Sequence, residues 1–233
     1  MIVIKKRSLI IVSSLLATVI AFLLCFNGII AKGSVETVAD KTIVVLDAGH
    51  GGIDGGVCGS TTGIKESELN LSLVMKLKGY LTNAGMHVVL TRSTSAGLYG
   101  VANSNLKSKD MKKRKEIINN AKPNLVVSIH MNNYSLTTRR GAQVFYKDNS
   151  ENGELLAMCV QDSFNKMKEA VRFCEPLVGD YYILNCSDYP SIIAECGFLS
   201  NPEDESLLIT DEYQDSVAYA IYKGIVAYLT KLN

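Results

Sequence analysis

Two hydrophobic rhythms alternate along the chain from residue 42 onward. Short runs of mostly β-branched apolar residues fit buried strands, and stretches with apolar side chains every third or fourth position fit amphipathic helices. The run 43–46 (IVVL) predicts a first strand, closed by a tight loop at Gly49, Gly51 and Gly52. Leu69, Leu73, Leu77 and Leu81, with Val74, form an i, i+4 stripe that predicts a helix over about 68–83, stopped at Gly85. Residues 86–91 predict a second strand, 92–107 a loop rich in Ser, Asn and Gly, and 109–121 a basic amphipathic helix broken before Pro123. Strands at 124–132 and 142–146 follow, then a helix over about 153–168 with Leu155, Leu156, Met158, Cys159, Val160 and Phe164 as its apolar positions. Residues 181–184 and 191–195 read as two more strands. Asn201, Pro202 and Glu203 mark a helix start, with an Asn cap, Pro at the first position and an acid in the first turn. A closing helix runs over 213–232. Strands alternating with helices imply an α/β fold: a single domain built on a twisted, mostly parallel sheet with helices on both faces.

The first forty residues break this rhythm. Lys5, Lys6 and Arg7 precede an uncharged, almost wholly apolar run over 8–26, the pattern of an export signal. The run is marginal in length for spanning a bilayer. Ala31 and Ala39 are mediocre cleavage points, because Ile29 and Thr37 stand two residues earlier, and Cys25 lacks the small neighbour that a lipoprotein signal needs. The expectation is a signal peptide or membrane anchor over 1–30, a small polar linker over 31–41 and an exported domain over 42–233, the basic flank staying in the cytosol. A buried core helix is the competing reading, disfavoured by the terminal position and the basic flank.

Composition narrows the function classes. The 233 residues suit one domain with a sizeable core, and a formal net charge of +1 argues against a nucleic-acid binder or an electrostatic membrane clamp. The lysines of 109–121 read as a solvated helix face.

Candidate chemistry lies at the strand ends. The chain has three histidines, and two of them, His50 and His130, close apolar runs where open α/β sheets place their ligands. The third, His87, lies inside MHVVLTR and reads as structural or solvent-facing. A single histidine after a strand could merely cap a hydrogen bond. Two at two strand ends suggest a metal site in want of a third ligand. Glu66, in GIKESELN at the mouth of a helix, is the candidate, and Glu195, at the end of SIIAE, is the candidate base. Of the six cysteines, Cys25 falls in the anchor, and the odd remainder has no zinc-finger spacing and cannot all pair internally. A nucleophilic Cys196 would need a histidine base, and only His87 would be left for it.

The motifs LDAGHGG, GIKESELN, SIHMN and AECGFLSNPED, in this order, resemble those of the zinc-dependent N-acetylmuramoyl-L-alanine amidases, a cell-wall hydrolase family often called amidase type 3. The resemblance covers about 43–229. Thr91-Arg92, Arg114 and GAQVFY over 141–146 also resemble family positions. It implies Zn2+ held by His50, Glu66 and His130, with Glu195 as the catalytic carboxylate and no further cofactor. It also implies a twisted mixed sheet flanked by helices, and peptidoglycan as substrate. Asp47 is the candidate to orient His50, with a turn-forming role before Gly49 as its alternative. Two departures stand beside site residues: Met131 where a small residue is usual, and Cys196 where a small or β-branched one is common.

An amidase with one domain, an export segment and no wall-binding repeats resembles the germination-specific amidases of spore formers. That implies action outside the cytoplasmic or forespore membrane, in concert with a muramic acid deacetylase that completes muramic-δ-lactam in the cortex. The alternatives are an exported peptidoglycan-binding protein with an inactive amidase fold, or a zinc carboxypeptidase. A site assembled from distant segments further suggests an exported accessory protein that stabilises the metal-bound form. Its expected docking face is the 174–189 segment with Phe173, Leu177, Tyr181, Tyr182 and Tyr189, which could equally belong to the core.

Overall fold

The computed structural model describes residues 41–101 and 104–232. The expected export segment, and all of the linker but Lys41, lie outside them. Among the described residues no helix is long and apolar enough to cross a membrane.

In chain order the elements are β1 (Ile43–Ala48), α1 (Glu66–Asn83), β2 (His87–Leu90), α2 (Leu106–Ala121), β3 (Leu125–Asn132) and β4 (Gln143–Tyr146). They continue with α3 (Glu151–Asn165), β5 (Leu177–Val178), α4 (Tyr182–Asn185), β6 (Ser191–Phe198), α5 (Pro202–Leu208) and α6 (Asp211–Lys231). The strands form one sheet of order β2-β1-β3-β6-β4-β5. β2, β1, β3 and β6 run parallel, whereas β4 is antiparallel to β6 and pairs in parallel with β5. The sheet is therefore mixed, and mostly parallel as expected.

Helices cover both faces. One apolar cluster joins Val44, Leu46, Val127 and Ile192 to α1, α3 and α6 through residues such as Leu73, Leu156 and Ile221. The other joins Val45, Val126 and Ile193 to Ile118 of α2 and to Ile183 and Leu184 of α4. Side chains alternate along a strand, so β1, β3 and β6 each feed both clusters. Fully buried parallel strands of this kind read as continuous apolar runs, which is why they stand out in the sequence.

Residues 181–184, expected as a strand, form the short helix α4 instead, and the last edge strand is Leu177–Val178. A strand would send Ile183 and Leu184 to opposite faces. In α4 both pack into the same cluster, while Tyr181 and Tyr182 stay exposed. Helix α1 begins at Glu66, with Lys65 in extended conformation at its N-cap, which puts the candidate ligand on the first helical residue. Asn201 caps α5 by accepting from Glu203 N and Asp204 N, as its sequence implies.

Candidate metal centre

The carboxyl ends of β1, β3 and β6 bring the candidate residues to one end of the sheet. Asp47 is in register with Ser128, and His130 with Glu195. In parallel strands such partners share a face, and here it is the face covered by α2 and α4. A cleft of about 590 Å³ opens there, lined among others by His50, His130, Glu195, Tyr99, Met111, Tyr181 and Tyr182.

Glu66, buried at the start of α1, meets both histidines of this cleft. Its Oε1 lies 2.9 Å from His130 Nδ1 and its Oε2 lies 3.2 Å from His50 Nε2. The backbone fixes the carboxylate as well: Val57 N donates to Oε2 at 3.0 Å and Met131 N to Oε1 at 3.2 Å. Two glycines make room for the assembly. A Cβ on Gly49 would stand 2.2 Å from the His130 ring, and one on Gly56 would stand 2.3 Å from Glu66 Oε2. His50 itself lies at φ 61, a left-handed conformation uncommon outside glycine.

The electrostatics follow from this packing. Burial alone would push the Glu66 carboxyl up, but hydrogen bonds and charge from His130 and His50 outweigh it and hold the group well below the usual carboxylate range. Burial lowers His50, yet Glu66 and Asp54 more than compensate and its pKa is raised. Glu195 differs. Its Oε2 is shielded from solvent and has no hydrogen-bond partner among the described residues. Burial therefore dominates, and with Glu66 nearby it pushes the pKa from 4.5 to about 7 despite the opposing influence of the two histidines.

One donor atom from each of His50, Glu66 and His130 lies within 4.8 Å of the others. Two imidazoles and a carboxylate form a donor set that suits Zn2+, whose bonds to such atoms are about 2.0–2.2 Å. Glu195, with its unpartnered oxygen, lines the same cleft as the two histidines and would be available there as a base. The residues present thus fit a catalytic rather than a structural metal. His87 is exposed at the start of β2, opposite Ile43, and joins none of this.

Asp47, expected to orient His50, does not touch the ring. Its oxygens accept from Thr91 Oγ1 (2.6 Å), Ser128 Oγ (2.6 Å) and Arg114 Nη1 (2.5 Å). Burial opposes these partners, but together they lower its pKa to about 2. The carboxylate that faces His50 Nδ1, at 3.0 Å, is Asp54. A hydrogen bond to the second ring nitrogen fixes the tautomer of a ligating histidine. The sequence does carry a signal for Asp54, its position four residues after His50 across a glycine turn. Met131 and Cys196 are both buried in the core behind the site, so neither departure intrudes on the cleft.

A family model described as N-acetylmuramoyl-L-alanine amidase matches residues 44–227. The chain is 34% identical over 193 residues to the germination-specific N-acetylmuramoyl-L-alanine amidase of Bacillus subtilis, covering 81% of this chain and 80% of that one. Among solved structures it is similar to the CwlD amidase of Clostridioides difficile, determined in complex with the GerS lipoprotein. The TM-score is 0.79 and the identity 35%, over 82% of this chain and 99% of that one. An N-acetylmuramoyl-L-alanine amidase from Clostridium difficile 630 aligns with TM-score 0.73 and 29% identity, over 82% and 98% of the two chains.

Proposed function

This chain belongs to the N-acetylmuramoyl-L-alanine amidase family, and from that premise we propose that it uses Zn2+ at His50, Glu66 and His130 to cleave the amide between N-acetylmuramic acid and L-alanine in peptidoglycan. The observation that carries the reading is the convergence of the three donors beside a buried, unpartnered Glu195. Zn2+ held by His50, Glu66 and His130 would supply Lewis acidity, lowering the pKa of a water towards about 7 and polarising the scissile carbonyl. Glu195 takes the proton from the attacking water and returns it to the departing amine of L-alanine, so no side-chain nucleophile is required. In the metal-free chain, burial raises the Glu195 pKa to about 7, so its surroundings favour taking up a proton. Asp54 holds His50 by Nδ1 and leaves Nε2 for the metal. The exposed rings of Tyr181 and Tyr182 and the side chain of Met111 give the cleft an apolar wall against which substrate can lie.

The finer assignment is to the spore cortex, on the peptidoglycan side of a membrane to which residues 1–30 deliver or anchor the domain. Similarity to the Bacillus subtilis germination-specific enzyme supports it. There the amidase would strip peptides from muramic acid, and a deacetylase would complete muramic-δ-lactam. Cortex made by a sporulating strain that lacks this chain is expected to contain no muramic-δ-lactam. A normal lactam content would remove the assignment.

An exported accessory protein is the third part of the proposal. Support comes from the CwlD amidase, solved with a lipoprotein bound. Phe173 is 71% exposed, and Leu177, Tyr181 and Tyr182 also lie on the surface, a patch of the kind a partner covers. Tyr189 instead packs against the α2–α4 core. After chelation, the full-length chain alone should recover zinc only weakly. Tight, stoichiometric zinc and full turnover without a partner would show that no accessory protein is needed.

A further inference from the structure

Two buried arginines stand behind the loop that carries His50. Arg92 donates from Nε to Ala48 O at 2.9 Å, and from Nη2 to Gly49 O and Ser67 O, both at 2.8 Å. Arg114 donates from Nη1 to Ala48 O at 2.7 Å and from Nη2 to His50 O at 2.6 Å. Three consecutive carbonyls, ending with that of His50, are therefore held by guanidinium groups. Arg92 also ties that loop to the first turn of α1, one residue after Glu66.

These bonds are costly ones to build. Both guanidiniums are buried and share Ala48 O, although like charges repel and desolvation penalises each. Asp47 and Asp110 offset the charge of Arg114, whereas the hydrogen bonds of Arg92 all go to carbonyl oxygens. Apolar residues in their place would spare the desolvation but leave these carbonyls without their donors. What the pair does achieve is geometric. It holds His50 at its left-handed φ of 61 and sets the distance between the His50 loop and the helix end that presents Glu66.

We infer that Arg92 and Arg114 are positioning residues that preset His50 and Glu66 for the metal, and this rests on the metal-centre reading proposed above. A guanidinium presents its donors as a planar fork, and the compact ammonium of lysine cannot span the same set of carbonyls. Arg92→Lys and Arg114→Lys, made in the full-length chain in detergent, should lower zinc affinity about 10- to 100-fold in competition with a chelator, the scale for losing a group that orients a ligand. The visible spectrum of the cobalt-loaded variants should shift, reporting altered ligand geometry. Gln161→Leu is the control. It breaks a buried bond to Val144 N at 2.8 Å on the opposite face of the sheet, and should cost stability while leaving zinc affinity unchanged. Lysine variants that melt early yet bind zinc like the wild type, with an unshifted cobalt spectrum, would overturn the inference. Should those variants fail to fold, Asp110→Ala decides, because it removes both the oxygen that accepts from Arg114 Nε at 2.6 Å and the charge beside it. Reduced zinc affinity supports the inference and wild-type affinity overturns it. A wild-type chain that binds no zinc overturns this inference and the metal-centre reading together.

Discussion

Glu195→Gln is expected to abolish most turnover while leaving the metal in place. The substitution keeps the size of the side chain and removes only its ability to carry a proton. Turnover on peptidoglycan should fall about 10²- to 10⁴-fold, the scale for removing a general acid–base. Zinc content should stay at the wild-type level, because Glu195 is not among the converging donors. Loss of zinc in this variant would mean that the roles of Glu66 and Glu195 are wrongly divided. The metal-free protein offers a second readout. Glu195 has a folded-state pKa of about 7 against an ordinary 4.5, so its neutral form is favoured by the fold. Its contribution to stability is complete below about pH 4.5 and is lost as pH rises through 7. Above pH 7 the metal-free Glu195→Gln variant should therefore be more stable than wild type, by up to about 3 kcal/mol, and the gap should close on acidification. Thermal melts in chelator across pH measure it.

His50→Ala, Glu66→Ala and His130→Ala should each strip zinc and reduce activity to background, whereas His87→Ala should leave both nearly intact. Each of the first three removes one of the three donors that converge among the described residues. Glu66→Ala carries an additional cost. It leaves Val57 N and Met131 N without the carboxylate they now donate to, and removes the partner of both rings. Its metal-free form should consequently be the least stable of the three. Metal analysis by mass spectrometry, alongside circular dichroism to establish folding, separates loss of the ion from loss of the fold. Zinc loss in His87→Ala would falsify the ligand set.

How much of this was legible in the sequence depends on where each residue gets its constraint. β1 and β3 announce themselves because strands buried on both faces must be apolar throughout, and a histidine at the end of such a run is conspicuous. Glu66 and Glu195 draw notice as charged groups at element boundaries, the first at the mouth of a helix and the second at the end of an apolar run. The orientation of β4 was not legible, since an antiparallel strand beside β6 carries the same apolar pattern as a parallel one. Residues 181–184 have strand-like composition, and tertiary packing of Ile183 and Leu184 overrode it. Arg114 stands among the lysines of α2, where only the family resemblance and not the apolar pattern singles it out. Those lysines are indeed mostly solvated, but Asp110, Arg114 and Ile118, spaced four apart, form the buried face of the helix. Asp54 was missed in favour of Asp47 because the left-handed turn at His50 reverses which carboxylate the ring meets. No pattern of hydrophobic positions encodes that reversal.

Mass spectrometry of the products tests most directly whether this cluster hydrolyses the amide between muramic acid and L-alanine. Unprocessed peptidoglycan incubated with the zinc-loaded full-length chain should yield peptides with a free L-alanine amino terminus, together with glycan whose muramic acid has lost its peptide. Release of a terminal amino acid with the muramoyl–L-alanine bond intact would contradict the account.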